Sequence, residues 1–360
     1  MVTGRELLSD VSRLLAAVLG WVIAIPLLVL TVLRFVAEDR LWPVGMWVNF
    51  APYCFVIILP LIVLALVGRA WRLLILLGVL VILGGVWFAP MIFVRPGSAP
   101  ASEGVTSLRV ITYTPFRFRG EYAGFYQWAT ENRADIIAVQ DFRLMNGRGL
   151  LDQVSEYPYI SWKLPTWRPS SGNLVLSRYP ILEQGVILNG DPVLTSFISR
   201  VVLDVNGQAV AFYNVDLTPS YNQSRPRFRL NGLNFELNLF LLGYDAAARN
   251  YGVARLLEAL SAEPLPYIVA GNFGFTPMHR AYERLSAVMT DSRRETGPFM
   301  STTWPIGEVT GMLPAAITPM VQFDYVWHSR GAWQTAASLR GPVQGSDHLP
   351  LVTDLRLLPG

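Results

Sequence analysis

The chain has 360 residues, 52% of them hydrophobic and only 15% charged, where a soluble domain carries about a quarter charged. The net charge of +3, with Lys163 the only lysine among 29 basic residues, is too small and too diffuse to argue for a nucleic-acid partner. The single cysteine, Cys54, excludes disulfides within the chain and Cys-based zinc sites.

Three apolar runs come first, Leu14 to Val36, Met46 to Val67 and Leu73 to Val94. Each is about 22 residues long, enough to cross a hydrocarbon core of ~30 Å, so residues 1–94 are read as a membrane domain of three transmembrane helices. Pro26, Pro60 and Pro90 fall inside the runs, which membrane helices tolerate. Trp21, Trp42, Trp47, Trp71 and Trp87 lie mainly toward the run ends, as interfacial anchors do. Arg5, Arg13, Arg69 and Arg72 would share one side, against Arg34, Arg40 and Arg95 on the other. Positive residues favour the cytoplasm, so the C-terminal domain is expected outside it.

Residues 95–106 are rich in Pro, Gly, Ser and Ala and read as a linker. From Ser107 the pattern changes to short strands and amphipathic helices. Strands are expected at 108–113, 135–140, 174–177, 197–205, 210–216, 267–270, 323–328 and 349–355, with Asn206-Gly207 as a hairpin turn. Helices are expected at 121–132, 246–260 and 278–289. This mixture of hairpins and helical crossovers implies one α/β layered domain over 107–360. His328 reads as a satisfied core residue and His279 as a solvated one at a helix start. Trp162, Trp167, Trp304 and Trp333 read as core by default, or as a groove lining. Tyr221–Tyr244 holds Arg225, Arg227 and Arg229 ahead of a Leu/Phe-rich run. It reads either as a segment packed on the domain or as a surface resting on lipid or on another membrane-protein subunit.

Several short stretches carry a pattern together that none carries alone. They are Leu108 to Thr114, Ala134 to Asp141, Gly172 to Pro180, Asn214-Val215-Asp216-Leu217, Ala270 to Pro277, Phe323 to Val326 and Ser346-Asp347-His348-Leu349-Pro350. In this order and spacing they resemble the endonuclease/exonuclease/phosphatase superfamily. The resemblance implies a DNase I-like four-layer α/β sandwich that hydrolyses phosphate esters with a divalent metal, usually magnesium. Such chemistry needs hard oxygen ligands for the metal, a carboxylate to take a proton from water and donors facing the phosphoryl oxygens.

Set against that pattern, the chain supplies part of the machinery. Thr114 stands where the first strand ends in Asn, and Asp141 where the second ends in the main metal-binding Glu. Asp216 stands where a His faces the phosphate. Asn272 replaces the water-activating Asp, and Gly274 replaces the phosphate-binding Asn. Asp324, Asp347 and His348 are present, Asp324 as the orienting partner of the catalytic His. Loss of a general base costs about 10²–10⁴ in rate, and loss of a transition-state donor about 10²–10³. The expectation is therefore a degenerate site on a membrane-tethered binding or complex-subunit module that needs no cofactor. The alternative is a rearranged phosphoesterase acting on a lipid-linked phosphate, in which Asp141, Asp216 and Asp347 gather Mg2+ or Mn2+ and Asp216 acts as base.

Overall fold

The computed structural model describes residues 11, 13–14, 16–37, 41–93, 106–115, 122–143, 154–166, 171–190, 195–217, 244–297, 300–311 and 313–358. It divides into two compact units, Met1–Phe93 with Met278–Arg280, and Val94–Pro277 with Ala281–Gly360. Most of the segment Tyr221–Tyr244, together with the linker and Trp167, lies outside the described residues.

The first unit is helical. A π-helical turn, Ala16–Gly20, leads into α1 (Trp21–Val36), followed by α2 (Trp42–Val48), α3 (Ala51–Val56), α4 (Ile58–Val67) and α5 (Trp71–Ile92). The inward positions repeat at spacings of three and four: Ala24, Leu27, Thr31 and Arg34 on α1, and Leu73, Leu77, Leu80, Gly84, Trp87 and Met91 on α5. That repeat packs one helical stripe against another, and the remaining faces expose Val, Ile and Leu. Gly84 is needed for the approach, since a Cβ there would lie 2.4 Å from the Phe55 ring. Val18–Val36 and Trp71–Ile92 are long and apolar enough to cross a membrane.

The second apolar run is not the straight helix expected over 46–67. Trp42–Val48 and Ala51–Val67 form a pair bent by 75°, either one broken span or a re-entrant turn. The bend has a local cause. Pro43 and Pro52 each sit in a first helical turn, where a missing N–H costs nothing. Between them the Asn49 side chain donates to the carbonyls of Gly45 and Met46, at 3.1 and 3.3 Å. Trp21, Trp42 and Trp71 are the first residues of their helices, whereas Trp47 and Trp87 turn inward and cluster, their ring centroids 5.5 Å apart. His279, grouped with this unit, is buried and not solvated.

The second unit carries β1 (Ser107–Tyr113), α6 (Tyr122–Glu131), β2 (Ile136–Arg143), β3 (Tyr159–Lys163), β4 (Ser171–Ser177), β5 (Ile181–Leu188), β6 (Phe197–Val205) and β7 (Gln208–Asp216). It continues through α7 (Ala247–Ser261), β8 (Tyr267–Asn272), α8 (Arg280–Ser286), β9 (Met289–Asp291), α9 (Ser292–Thr296), α10 (Gly307–Thr310), β10 (Asp324–Ser329), β11 (Trp333–Arg340) and β12 (Leu351–Leu357). The strands form two six-stranded sheets, in the orders β11-β12-β1-β2-β4-β3 and β5-β6-β7-β8-β10-β9. Alternation along β1 sends Leu108 and Val110 between the sheets, to meet Val201, Leu203, Phe212, Ile268 and Val326. Ile111 and Tyr113 go outward, against Phe125 and Ala129 of α6. On the far side the second sheet meets Val253, Leu256 and Leu260 of α7. The layers are therefore helix, sheet, sheet, helix.

Two pairs of strands are parallel, β1 with β2 and β7 with β8, and sequence between the partners makes the crossovers. Near the carboxyl ends of these strands the inter-sheet core turns polar. Gln140 Nε2 donates to Asn214 Oδ1 at 2.8 Å, and Asn214 Nδ2 donates to the carbonyls of Val139 and Leu174 at 3.1 and 3.0 Å. Asn173 Nδ2 adds a bond to the Asn214 carbonyl at 2.7 Å. These buried amides tie β2 and β4 of one sheet to β7 of the other, and they sit directly beneath the candidate site.

Candidate functional site

Register sets out half of the site. Asp216 at the end of β7 pairs with Asn272 at the end of β8, and Asn272 pairs with Asp324 at the start of β10. Cross-strand partners put their side chains on the same face, so these three residues form a row. His348 enters from the loop ahead of β12. Backbone bonds from Leu349 N to Thr303 O and from Ile306 N to Asp347 O, both 3.0 Å, hold that loop against residues 303–306. Ser346 fixes its turn, with Oγ donating to the Thr114 carbonyl at 2.6 Å and accepting from His348 N at 3.1 Å.

The centre is a buried dyad. His348 Nδ1 lies 2.7 Å from Asp324 Oδ2, and both side chains are nearly closed off from solvent. The same Oδ2 accepts from Thr303 Oγ1 at 2.6 Å. The single proton of the Thr114 hydroxyl lies between two acceptors, Asp324 Oδ1 and Gln140 Oε1, each 3.0 Å away. Burial opposes a charge on His348. The adjoining Asp324 carboxylate and its hydrogen bond overcome that, helped by Asp347 and Asp216, and the imidazole is pushed up to about 9. It is an imidazolium at neutral pH. Nε2 has no hydrogen-bond partner among the described residues.

Asn272, half-buried, turns its side chain back on its own loop, where Oδ1 accepts from Gly274 N at 3.0 Å. Gly271 before it has φ +142, and a Cβ there would stand 1.9 Å from the Val215 carbonyl oxygen, so only glycine allows the strands this close. Asp347 Oδ2 accepts from the Trp304 indole Nε1 at 3.0 Å, and its Oδ1 lies 3.3 Å from Ser346 Oγ. Burial pushes the Asp347 carboxyl up, against the pull of His348 and these hydrogen bonds. Asp141 sits at a β-bulge, where Gln140 and Asp141 together face Asn173 of β4, with φ +46 in the left-handed region. A bulge re-aims the side chain, here toward Arg143, whose Nη2 lies 3.3 Å from Asp141 Oδ2.

Asp216, Asp324, Asp347 and His348 are thus brought together, with Asn272 in the same row and Thr114 beneath it. The expected grouping of Asp141, Asp216 and Asp347 around an ion is not found. Among the described residues no three His, Cys, Asp or Glu side chains are placed to share a metal. Thr303, Arg143 and the amides Gln140, Asn173 and Asn214 went unassigned in the sequence reading. Gln140, Asn173 and Asn214 had a signal, since each lies within one of the motif stretches; Thr303 and Arg143 had none. Trp304 is half-buried, stacked on Phe323, and donates to Asp347. His328 is core, as expected, its Nε2 3.0 Å from Glu295 Oε2 and 3.1 Å from Thr335 Oγ1.

A four-layer sandwich with a His–Asp pair at the carboxyl ends of its parallel strands defines the DNase I-like class. Residues 116–348 match the Endonuclease/Exonuclease/phosphatase family, and the chain belongs to that family. No curated protein sequence matches it. Among solved structures, a family protein from Bacteroides vulgatus is similar at 14% identity and TM-score 0.54, over 70% of this chain and 100% of the other. A second, from Bacteroides thetaiotaomicron, has 15% identity and TM-score 0.51, over 71% of this chain and 100% of the other. The human Nocturnin catalytic domain, solved with a bound sulfate anion, has 15% identity and TM-score 0.50, over 70% and 94%. At such identities the likeness is one of fold.

The divalent ion that the family resemblance implies does not fit the donors of this cleft. One oxygen of Asp141 faces the Arg143 guanidinium, one oxygen of Asp347 accepts from the Trp304 indole, and a hydroxyl replaces the amide at Thr114. No chemical step is therefore assigned to a metal here.

Proposed function

We propose that the chain is a membrane-anchored member of the family that keeps the phosphoesterase fold and uses its cleft to bind, as a subunit of a membrane complex, without hydrolysing its ligand. The observation that carries this reading is Asn272. It occupies the place that the resemblance gives to the water-activating carboxylate, and its oxygen is engaged with Gly274 N. An amide cannot take a proton at neutral pH, and a missing base costs about 10²–10⁴ in rate. Two further features support it. Gly274 offers no side chain to a phosphate, and Asp216 puts negative charge where a phosphate would arrive.

The test is turnover of a phosphodiester and a lipid pyrophosphate by the purified full chain with Mg2+ or Mn2+, beside Asn272→Asp. No turnover by the parent is expected. The second reading, a rearranged phosphoesterase acting on a lipid-linked phosphate, is favoured by one observation: the Asp324–His348 pair survives with both its threonine clamps. Turnover by the parent that vanishes in Asp216→Asn would establish it and sink the first.

The same proposal places the second unit outside the cytoplasm, following the arginines around the apolar runs. This requires the bent pair to cross as one span. External protease on intact cells should then cut the soluble unit. Full protection would overturn this orientation, whether because three spans run the other way or because the pair turns back and leaves two spans.

A further inference from the structure

A divalent cation in a phosphoesterase cleft neutralises carboxylates that would otherwise repel each other and the ligand. In this chain a different set of atoms meets that need. Arg143 Nη2 lies 3.3 Å from Asp141 Oδ2. The bulge at Gln140 and Asp141, with the left-handed φ of Asp141, aims that carboxylate by the backbone itself. The backbone N–H of Arg143 donates to the Tyr122 hydroxyl at 3.1 Å, which holds β2 in place at this residue. The Trp304 indole donates to Oδ2 of Asp347, in the loop ahead of β12, at 3.0 Å. The indole is stacked on Phe323, with centroids 5.0 Å apart and planes 25° from parallel. The indole is thus fixed by a contact of its own, and Arg143 is held through its backbone.

We propose that Arg143 and Trp304 are built-in replacements for the divalent ion, holding Asp141 and Asp347 so that the cleft keeps its geometry and takes its ligand without a metal. The guanidinium is always charged, and its Nη2 faces one oxygen of Asp141, so an incoming dication meets a positive charge beside its first ligand. The indole N–H is a donor only, and it covers the oxygen a second ligand would have to offer. The inference deepens the reading of the domain as a non-catalytic module and rests on it for the kind of site, but it concerns metal binding and not turnover.

The experiment titrates the full-length protein in detergent with Mn2+ and follows the electron paramagnetic resonance signal of the free ion. The parent is expected to show no saturable 1:1 depletion, and its melting midpoint is expected to be the same in chelator and in Mn2+. Freeing both carboxylates in Arg143→Gln/Trp304→Phe should raise Mn2+ affinity by about tenfold or more, the range in which outer-shell partners act on a metal site. Adding Asp141→Asn should remove the gain. The single variants carry the same expectation on a smaller scale if the pair does not fold. The inference is overturned if the parent binds one Mn2+ and loses it on Asp141→Asn or Asp347→Asn, or if folded variants gain nothing. Turnover without Mn2+ depletion would defeat the non-catalytic reading and leave this inference standing. Mn2+ binding without turnover would do the reverse.

Discussion

Exchanging Asp324 for asparagine should destabilise the full chain at pH 7 by about 3 kcal/mol, the lower end of what breaking a buried ion pair costs. For a domain of this size that is a fall of roughly 6–12 °C in melting midpoint. The lower end applies because an asparagine oxygen still accepts from His348 Nδ1, and its amide can still meet a threonine hydroxyl. What is lost is the charge that Asp324 Oδ2 presents to His348 at 2.7 Å. The pH dependence identifies the cause. Burial works against the imidazolium, the Asp324 carboxylate outweighs it, and the folded value reaches about 9, above the ordinary ~6.5 of the unfolded chain. The contribution is therefore fully present below about pH 6.5 and lost as pH rises through the folded value. Melting midpoints of the parent should decline across that window. Those of Asp324→Asn should decline less, with His348 titrating at least ~1 unit lower by NMR. An unchanged slope in the variant would mean that the dyad is neutral and the charge assignment wrong.

The central strands were legible in the sequence because burial on both faces leaves continuous apolar runs, and the longer helices of the second unit because their apolar residues recur at helical spacing; the short α9 and α10 were not foreseen. The expected strand at 197–205 coincides with β6, and the Asn206-Gly207 turn has φ of 56° and 89°. Four strands were not foreseen: β3, β5, β9 and β11. They are the four edges of the two sheets. An edge strand is wetted on one side, so its apolar alternation is weak. β5 shows this in Leu182, 57% exposed beside Glu183 and Gln184. The bend after α2 was hidden for a related reason: apolar content reports on lipid or core, not on backbone direction. In the site, the residues in sequence motifs could be named in advance, but their partners could not. Thr303 and Trp304 come from a loop far along the chain, and only the fold brings them to Asp324 and Asp347. Arg143 was overlooked because its role depends on a one-residue bulge in β2.

The second large effect lies away from the cleft and has the opposite sign. Asp291 ends β9 and caps α9, its Oδ1 accepting from Arg293 N at 2.9 Å and its Oδ2 from the Tyr282 hydroxyl at 2.9 Å. Burial, only partly offset by those hydrogen bonds and by Arg294, pushes the carboxyl up from 3.8 to about 6. A raised folded value means that its contribution is fully present below about pH 3.8 and lost as pH rises through about 6, a cost of ~3 kcal/mol at neutral pH. Asparagine is as good a helix cap. Its oxygen can keep the bond from Arg293 N, and its amide can donate to the Tyr282 oxygen. Asp291→Asn should therefore stabilise the chain at pH 7 by about 1–3 kcal/mol, the lower figure allowing for the lost attraction to Arg294. The gain should vanish by about pH 4, where the parent carboxyl is already protonated. Melting midpoints of parent and variant at the two pH values decide it. If the variant is destabilised equally at both, the hydrogen bonds of the carboxylate outweigh the cost of burying its charge. The acid sensitivity of the fold would then have to lie in carboxylates held below their usual range, such as Glu263, where burial is outweighed by Arg200 and Tyr213.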